Sequence, residues 1–333
     1  MLMAARLAVK EINDAGGVNG RLLALDSLDD SASTVRAIAV AQQLRDDPRV
    51  VAVIGHLTSA TTIEAANIYN AGRPVVAISP SASNPDLSGL GRYTFRVCAT
   101  DLAHGAYLAR FALQQLGARS AAVIYLNDDY GRGILGTFTD EFRRLGGTVV
   151  AEDPVLPSTA DLGPYLEILQ RDSRAEVLMI AGDRATGVAV LRQARARGIT
   201  LPIIGGDGLA GIESEGALAD GVHVTSNYLP DLPGERNARF LQAYAEISGG
   251  QQPDHRGAGA YDAVQVIAEA IRESGPNRRS IRDALARLGS DRPAYDGVTG
   301  RITFDENGDV PNKAVYAGVV RGGRLVLATG QSR

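Results

Sequence analysis

The chain has 333 residues, of which 45% are hydrophobic and 22% are charged, and its formal net charge is -4. A single hydrophobic core stops growing near about 250–300 residues, so this length favours two globular units. The 34 basic and 38 acidic residues nearly balance, which excludes a general positive field for nucleic acid. No apolar run approaches the roughly 18 residues of a membrane-spanning helix. Composition therefore indicates a globular chain that has no nucleic-acid partner.

Short apolar runs alternate with amphipathic segments through the first hundred residues. The spacing predicts a first helix from Leu2, which the Gly16-Gly17 pair ends. Further on, the pattern predicts strands over 22–28, 50–54 and 74–78 and helices over 34–44 and 59–70. A polar loop region, 79–101, interrupts this alternation. Such a pattern is typical of a parallel sheet covered by helices on both faces.

A second α/β cycle begins near residue 101. It predicts helices over 102–116, 131–145, 162–170 and 186–197, and strands over 121–126, 148–151, 176–181 and 201–205. The pattern weakens over 225–233, which indicates a linker, and helices follow over 236–247, 259–274 and 280–288. The C-terminal runs 301–304, 313–320 and 324–327 predict antiparallel strands, with Asn307-Gly308 and Gly322-Gly323 as turns between them.

The usual catalytic and metal-binding motifs are missing from the sequence. It contains no G-x-S-x-G, no H-E-x-x-H and no G-x-x-x-x-G-K-[ST] motif. The four histidines are isolated, and Cys98 is the sole cysteine, so neither an internal disulfide nor a zinc site of several thiolates can form. His56, at a strand-to-helix turn, fits a structural role better than a site edge, and Asp29-Asp30 fits loop capping. We predict no catalytic residue, no metal and no cofactor.

One glycine motif raises a nucleotide-binding alternative. Residues 206–211, Gly-Asp-Gly-Leu-Ala-Gly, follow a predicted strand and match G-x-G-x-x-G. In a dinucleotide fold such glycines let the backbone approach a pyrophosphate. The charge of Asp207 would face the phosphates, so a carboxylate presented at a strand end is the better interpretation. An enzyme that uses a nucleotide stays the weaker alternative.

Small hydroxyl side chains follow two neighbouring predicted strands. Ser59 opens a helix after the strand over 50–54, and Ser81 and Ser83 follow the strand over 74–78. Free amides at a helix start bind anions, although N-capping by Ser59 or Thr58 and an irregular polar loop would use the same residues. Asp207, with Asp183 as a further candidate, would supply the opposite charge. Together these groups favour a zwitterionic ligand, with Tyr130 as an apolar wall.

Seven segments in the same order resemble the type I periplasmic binding proteins of the branched-chain amino acid transport family. They cover nearly the whole chain: 8–20 (AVKEINDAGGVNG), 53–62 (VIGHLTSATT), 78–87 (ISPSASNPDL), 127–133 (NDDYGRG), 191–198 (LRQARARG), 260–264 (AYDAV) and 295–309 (YDGVTGRITFDENGD). The resemblance implies two doubly wound α/β lobes joined by three hinge crossings. It places lobe 1 at 1–100 plus 231–304 and lobe 2 at 101–230 plus 305–333.

The resemblance also implies a ligand site. It places the ligand carboxylate on Ser59 and assigns a carbonyl and a hydroxyl to Ser81 and Ser83, with Ala82 between them. Tyr130 matches the family's site tyrosine, and Asp207 takes the place of the acidic residue that binds the ammonium group. Leucine-type binders favour Glu there, so the shorter Asp implies a deeper-seated or different amino acid.

We therefore expect a monomeric solute-binding protein that captures a small amino acid or related carboxylate by hinge closure and delivers it to an ABC transporter permease. A ligand-sensing domain of a receptor or kinase system is the alternative that the sequence leaves open. The family begins with a strand that precedes the helix at Leu2, and this numbering lacks both that strand and a signal peptide. The expected location is periplasmic or extracellular.

Overall fold

The computed structural model describes residues 1–157, 159–171 and 174–328. The chain forms two compact units: unit 1 comprises Met1–Thr100 and Leu232–Ala314, and unit 2 comprises Asp101–Asp231 and the chain from Val315 onward. The chain thus passes between the units three times. The third passage follows residue 314, whereas the predicted lobes change after residue 304. Residues 329–333 of predicted lobe 2 lie outside the described residues.

Unit 1 is built from helices around a short parallel sheet. Its helices are α1 (Leu2–Asp14), α2 (Thr34–Asp46) and α3 (Ser59–Tyr69), with α8 (Glu235–Ser248), α9 (His255–Ser274) and α10 (Arg278–Ala286) from the later part of the chain. Its strands are β1 (Ala52–Ile54), β2 (Val76–Ser79) and β3 (Thr94–Arg96), with an antiparallel pair, β9 (Tyr295–Gly297) and β10 (Gly300–Ile302). A 3-10 helix spans Pro85–Leu87.

The unit 1 core lies between the β1-β2-β3 sheet and the helices α1, α9 and α10. Ile78 of β2 and Phe95 of β3 are buried there with Ala263, Ile267 and other small or branched residues of α9. Helix α9 runs close beside the loop after β2: a Cβ atom on Gly259 would lie 2.8 Å from the carbonyl oxygen of Pro80. Glycine at this position therefore lets the helix support the loop that contains Ser81 and Ser83.

The predicted strand over 22–28 does not form. This segment has no sheet partner among the described residues, and Leu22 and Leu28 are exposed. Asn13 of α1 holds this segment by two hydrogen bonds, donating to the carbonyl of Leu23 and accepting from its amide, and Leu23 and Leu25 pack against the unit 1 core. A strand requires a neighbouring backbone, which local apolar patterning does not supply. The predicted loop capping does occur, since Asp29 and Asp30 accept from the amides of Ser31 and Ala32.

Unit 2 follows the strand-helix alternation of a doubly wound sheet. Its helices are α4 (Asp101–Gln114), α5 (Asp129–Arg144), α6 (Gly163–Arg171) and α7 (Arg184–Ala196). Its strands are β4 (Ser120–Leu126), β5 (Thr148–Val155), β6 (Val177–Ala181), β7 (Ile203–Gly205), β8 (His223–Ser226), β11 (Tyr316–Arg321) and β12 (Arg324–Leu327). Two 3-10 helices, Asp207–Leu209 and Ile212–Leu218, lie between β7 and β8.

The seven strands of unit 2 form one sheet in the order β12-β11-β8-β7-β6-β4-β5. The pairs from β5 to β8 are parallel, and β11 pairs antiparallel with both β8 and β12. Strand β6 is buried along its whole length, as expected for a central strand with helices on both faces. The predicted fold class, α/β with parallel-dominated sheets, is confirmed.

Two expectations for the later part of the chain differ from the structure. Asn307-Gly308 does not join sheet neighbours: β10 pairs with β9, whereas β11 pairs with β8 and β12. Instead, Gly308 has a φ of 79°, and its carbonyl accepts from the Arg96 amide. The first residues of the linker predicted over 225–233 belong to β8. This strand forms because β7 and β11 flank it and supply hydrogen-bond partners. The Gly322-Gly323 turn between β11 and β12 is confirmed.

Candidate functional site

The start of α3 in unit 1 carries the first group of predicted ligand residues. Thr58 is the N-cap, and its side chain accepts from the Thr61 amide at 3.3 Å. The cap leaves the amides of Ser59 and Ala60 without an intrahelical acceptor, at the positive end of the helix dipole. The Ser59 side chain is buried and accepts from the Asn84 amide at 3.3 Å. Ser59 therefore joins α3 to the loop after β2, and capping is left to Thr58.

The loop after β2 is folded around the hydroxyl of Ser79. This hydroxyl donates to the carbonyl of His56 at 2.8 Å and accepts from the amide of Ala82 at 2.9 Å. Ala82 and Ser83 are buried, and among the described residues the Ser83 hydroxyl has no hydrogen-bond partner. A buried hydroxyl without a partner is costly, so its presence beside the Ser59 contact favours a bound polar group.

Arg96 anchors the loop after β2, and the sequence did not predict this role. Its guanidinium makes a two-point ion pair with Asp309, at 2.6 and 3.0 Å, and is almost completely buried. The same group donates to the carbonyls of Ala82 at 3.3 Å and Asn84 at 2.8 Å. The Cys98 thiol is buried and donates to the Ala82 carbonyl at 3.4 Å. These donors fix the direction in which the 82–84 backbone faces.

Two histidines border the predicted residues of unit 1. His56 contacts Asp30 through Nδ1, at 2.5 Å, and Tyr69 through Nε2, at 3.0 Å, so both ring nitrogens are used within the structure. His255, the first residue of α9, lies 3.4 Å from the Ser81 hydroxyl. His56 therefore has the structural role that the sequence favoured, and Ser81 lies at the half-exposed end of the loop.

Unit 2 carries the second group, in which Tyr130 and Asp207 are in direct contact. The Tyr130 hydroxyl donates to Oδ1 of Asp207 at 3.0 Å and accepts from the Gly208 amide at 2.8 Å. Burial raises the pKa of Tyr130 well above its usual value, and the charge of Asp207 adds to this rise. The phenol thus stays protonated and orients the buried carboxylate. Tyr130 was predicted as an apolar wall, and its hydroxyl adds this polar contact.

The glycine motif at 206–211 has a packing function in the structure. A Cβ atom on Gly206 would lie 2.4 Å from the Tyr130 hydroxyl oxygen, and one on Gly208 would lie 2.5 Å from Cε1 of the same ring. The segment continues as a 3-10 helix of three residues, Asp207–Leu209. A pyrophosphate site needs a longer helix whose first amides converge on the phosphate. These glycines therefore make room for Tyr130, which removes the basis of the nucleotide alternative.

His104 lies beside Asp207 and contacts Thr225, and neither His104 nor Thr225 was predicted. His104 is fully buried on α4; its Nδ1 lies 3.0 Å from the Thr225 hydroxyl and its Nε2 lies 3.8 Å from Oδ2 of Asp207. Asp101, one helical turn earlier, is also buried. The i, i+3 spacing of Asp101 and His104 places them on one helix face. That spacing was the available signal, but the sequence did not show which strand ends faced it.

Asp183 does not join this group in the structure. It is the N-cap of α7, it is exposed, and its carboxylate accepts from the Thr186 amide at 2.8 Å. Among the described residues, no group of three His, Cys, Asp or Glu side chains is placed to hold a metal ion. None of the helices of the described chain has the length and apolar character needed to cross a bilayer. The remaining predicted residues form two groups: buried hydroxyls at the start of α3 and in the loop after β2 in unit 1, and a carboxylate held by Tyr130 in unit 2.

The α/β fold is that of a solute-binding protein, and the comparisons with known proteins agree. Residues 1–324 match the family model described as "Periplasmic binding protein". The chain belongs to this family, whose members bind solutes and are not enzymes. Both the resemblance and the prediction of a binding protein are confirmed. The family is extracytoplasmic, which is the location we assign to the chain.

The chain is similar to three named proteins over most of its length. The leucine-specific-binding protein of Salmonella typhimurium is 29% identical over 315 residues, covering 92% of this chain and 82% of its own. The crystal structure of an ABC transporter substrate-binding protein from Desulfitobacterium hafniense in complex with Leu is 31% identical, with a TM-score of 0.85 over 98% of this chain and 95% of its own. A leucine-binding protein from Thermotoga maritima is 28% identical, with a TM-score of 0.90 over 98% and 92%.

Proposed function

We propose that this chain is the substrate-binding component of an ABC importer for a small amino acid or a related carboxylate. The ligand carboxylate would bind at the start of α3, to the amides there and to the hydroxyls of Ser59 and Ser83. The ammonium group would bind to Asp207, which Tyr130 orients. The observation that carries the proposal is the chemistry of these two groups: one offers buried hydrogen-bond donors and the other a buried carboxylate. A zwitterion is the ligand class that satisfies both.

The named relatives support an amino acid as the ligand. The Desulfitobacterium protein was crystallised with Leu, and the Salmonella protein is called leucine-specific. We further propose that the protein captures its ligand by hinge closure, as the family resemblance implies. A transporter permease is the proposed partner, a single chain the proposed functional state, and the periplasm or cell exterior the proposed site of action.

A thermal-unfolding panel tests the proposed ligand class. We expect at least one L-amino acid to raise the melting temperature, because a ligand at 100 times its Kd stabilises the folded state by about 2.7 kcal/mol. The matched amine without its carboxylate and the matched acid without its ammonium should each give a much smaller rise. If no amino acid or carboxylate raises the melting temperature, the proposed function is wrong.

Ser59→Ala should weaken binding of the best amino acid of that panel by about tenfold to a hundredfold in Kd. The variant removes a hydroxyl donor to a charged carboxylate, an interaction of about 1.5–3 kcal/mol. Isothermal titration calorimetry provides the measurement. Ser33→Ala is the matched control, because Ser33 caps α2 in the same unit and accepts from the Arg36 amide. Equal Kd values for Ser59→Ala and Ser33→Ala would exclude the assigned role.

A further inference from the structure

The buried face of α4 brings a histidine to the proposed ammonium site. His104 has no exposed surface, and its Nε2 atom is 3.8 Å from Oδ2 of Asp207. Among the described residues this nitrogen has no hydrogen-bond partner, whereas Nδ1 contacts the hydroxyl of Thr225 at 3.0 Å. A buried ring nitrogen that faces a carboxylate just outside hydrogen-bond distance is a feature that simple packing does not require.

The protonation state of His104 decides the charge beside Asp207. Burial lowers the pKa of His104 below its usual value, and the negative charge of Asp207 opposes this shift. The imidazole is therefore neutral at neutral pH and adds no positive charge next to the carboxylate. A protonated imidazole at 3.8 Å would form an ion pair with Asp207 and compete with a ligand ammonium for the same oxygen atoms.

The elements packed around the buried face of α4 determine which charges lie near His104. Helix α4 packs against α5, β7, β8 and the 3-10 helix at Asp207. Strand β7 has no titratable side chain. Among the titratable groups of these elements, the charge of Asp207 acts on His104, Tyr130 stays protonated beside Asp207, and the charge of Asp101 acts on Tyr130. His223 of β8 instead contacts Phe111, about two helical turns further along α4. Asp207 is thus the carboxylate that the structure places opposite Nε2 of His104.

We propose that His104 is a positioning residue for Asp207, and that it makes ligand binding weaken as the pH falls. This inference rests on the proposed function, because Asp207 must bind the ligand's cationic group. The neutral imidazole permits the cation to bind, and the imidazolium and the ligand cation exclude each other. By linkage, ligand binding must then lower the affinity of His104 for its proton by the same factor.

The sign and size of the pH effect follow from this exclusion. Above the pKa of His104 in the ligand-free protein, the imidazole is already neutral and Kd does not change with pH. Below that pKa, each bound ligand must displace one proton, so Kd rises tenfold per pH unit. The carboxylate and ammonium groups of an α-amino acid keep their charges between pH 5 and 8 and contribute no slope there.

Calorimetric titration with L-leucine, or with a tighter amino acid from the panel, tests the proposal from pH 8 down to one unit below the pKa that NMR gives for His104 in the ligand-free protein. The wild-type Kd should rise toward tenfold per pH unit below the pKa of His104 and should stay constant above it. His104→Gln keeps a polar side chain without a titratable charge, and its Kd should stay constant within twofold. His223→Gln, a histidine variant in the same unit, should retain the wild-type slope. A wild-type slope that persists in His104→Gln overturns the proposal.

NMR titration of the imidazole signals in the wild-type protein provides a second measurement that needs no variant to fold. Saturation with the amino acid should lower the pKa of the His104 signal, and the His223 signal should not move. An unchanged His104 pKa overturns the inference while the proposed function stands. If no amino acid binds at pH 7.5, the proposed function itself fails, and the inference with it. The two failures are therefore distinguishable.

Discussion

Asp207→Asn should raise the Kd of the best-binding amino acid by about a hundredfold or more. Removing one partner of a buried charge pair costs about 2–5 kcal/mol, because the other charge is left desolvated. Asparagine retains an oxygen that can accept from the Tyr130 hydroxyl, which in the structure donates to Oδ1 of Asp207. The fold should therefore survive, and calorimetry can assign the loss to binding.

Two further variants serve as controls for Asp207→Asn. Asp220→Asn removes a surface carboxylate of the same unit, which accepts from the Gly322 amide, and it should leave Kd within twofold of wild type. Asp207→Glu restores the charge on a side chain longer by one methylene, and it should recover a substantial part of the affinity. Tight binding by Asp207→Asn would contradict the assignment of the ammonium group to this residue.

Arg96→Met should lower the free energy of unfolding of unit 1 by about 3–5 kcal/mol. The guanidinium is buried in a two-point ion pair with Asp309, and breaking one partner of such a pair leaves an uncompensated charge. The carbonyls of Ala82 and Asn84 lose their donors as well. Urea unfolding, followed by circular dichroism, measures the change. Ligand affinity should fall too, because the loop that contains Ser83 loses its anchor.

An exposed ion pair supplies the control for Arg96. Arg110 of unit 2 pairs with Glu141 at 3.2 Å, and its side chain is 47% exposed. Arg110→Met should change stability by less than about 1 kcal/mol, as is usual for exposed pairs. The loss of stability in Arg96→Lys should lie between those of Arg96→Met and Arg110→Met. An ammonium group keeps the charge but cannot reproduce the planar, two-point geometry of the guanidinium. A loss below about 1 kcal/mol for Arg96→Met would contradict the anchoring role.

The sequence predicted those parts of the fold that depend on local pattern. Apolar runs located most strands of both sheets, and the Gly322-Gly323 pair located the C-terminal turn. The errors concern pairing between distant segments. The leucines at 22–28 were predicted as a strand but have no strand partner among the described residues, and the start of the predicted linker lies in β8, which β7 and β11 flank. Strand formation depends on such partners, and a local pattern does not contain them.

The sequence predicted several individual residues of the candidate site, but it did not predict the contacts between them. Asp207 follows β7 as expected, yet its contacts with Tyr130 and its approach to His104 come from elements far apart in the chain. Arg96 and Asp309 are separated by more than two hundred residues and meet only in the folded unit. Spacing within one helix could have linked Asp101 with His104, but nothing in the sequence directs that face toward Asp207.

The buried thiol of Cys98 gives the unmodified chain a chemical reporter. Reagents must reach the sulfur atom, which is buried and contacts the Ala82 carbonyl. Alkylation must therefore wait for a transient local opening, and its rate measures how often the loop detaches. A solute that binds the loop suppresses those openings and slows alkylation in proportion to its occupancy. Because the sequence contains no other cysteine, mass spectrometry of a single adduct would follow binding without a dye or an engineered label.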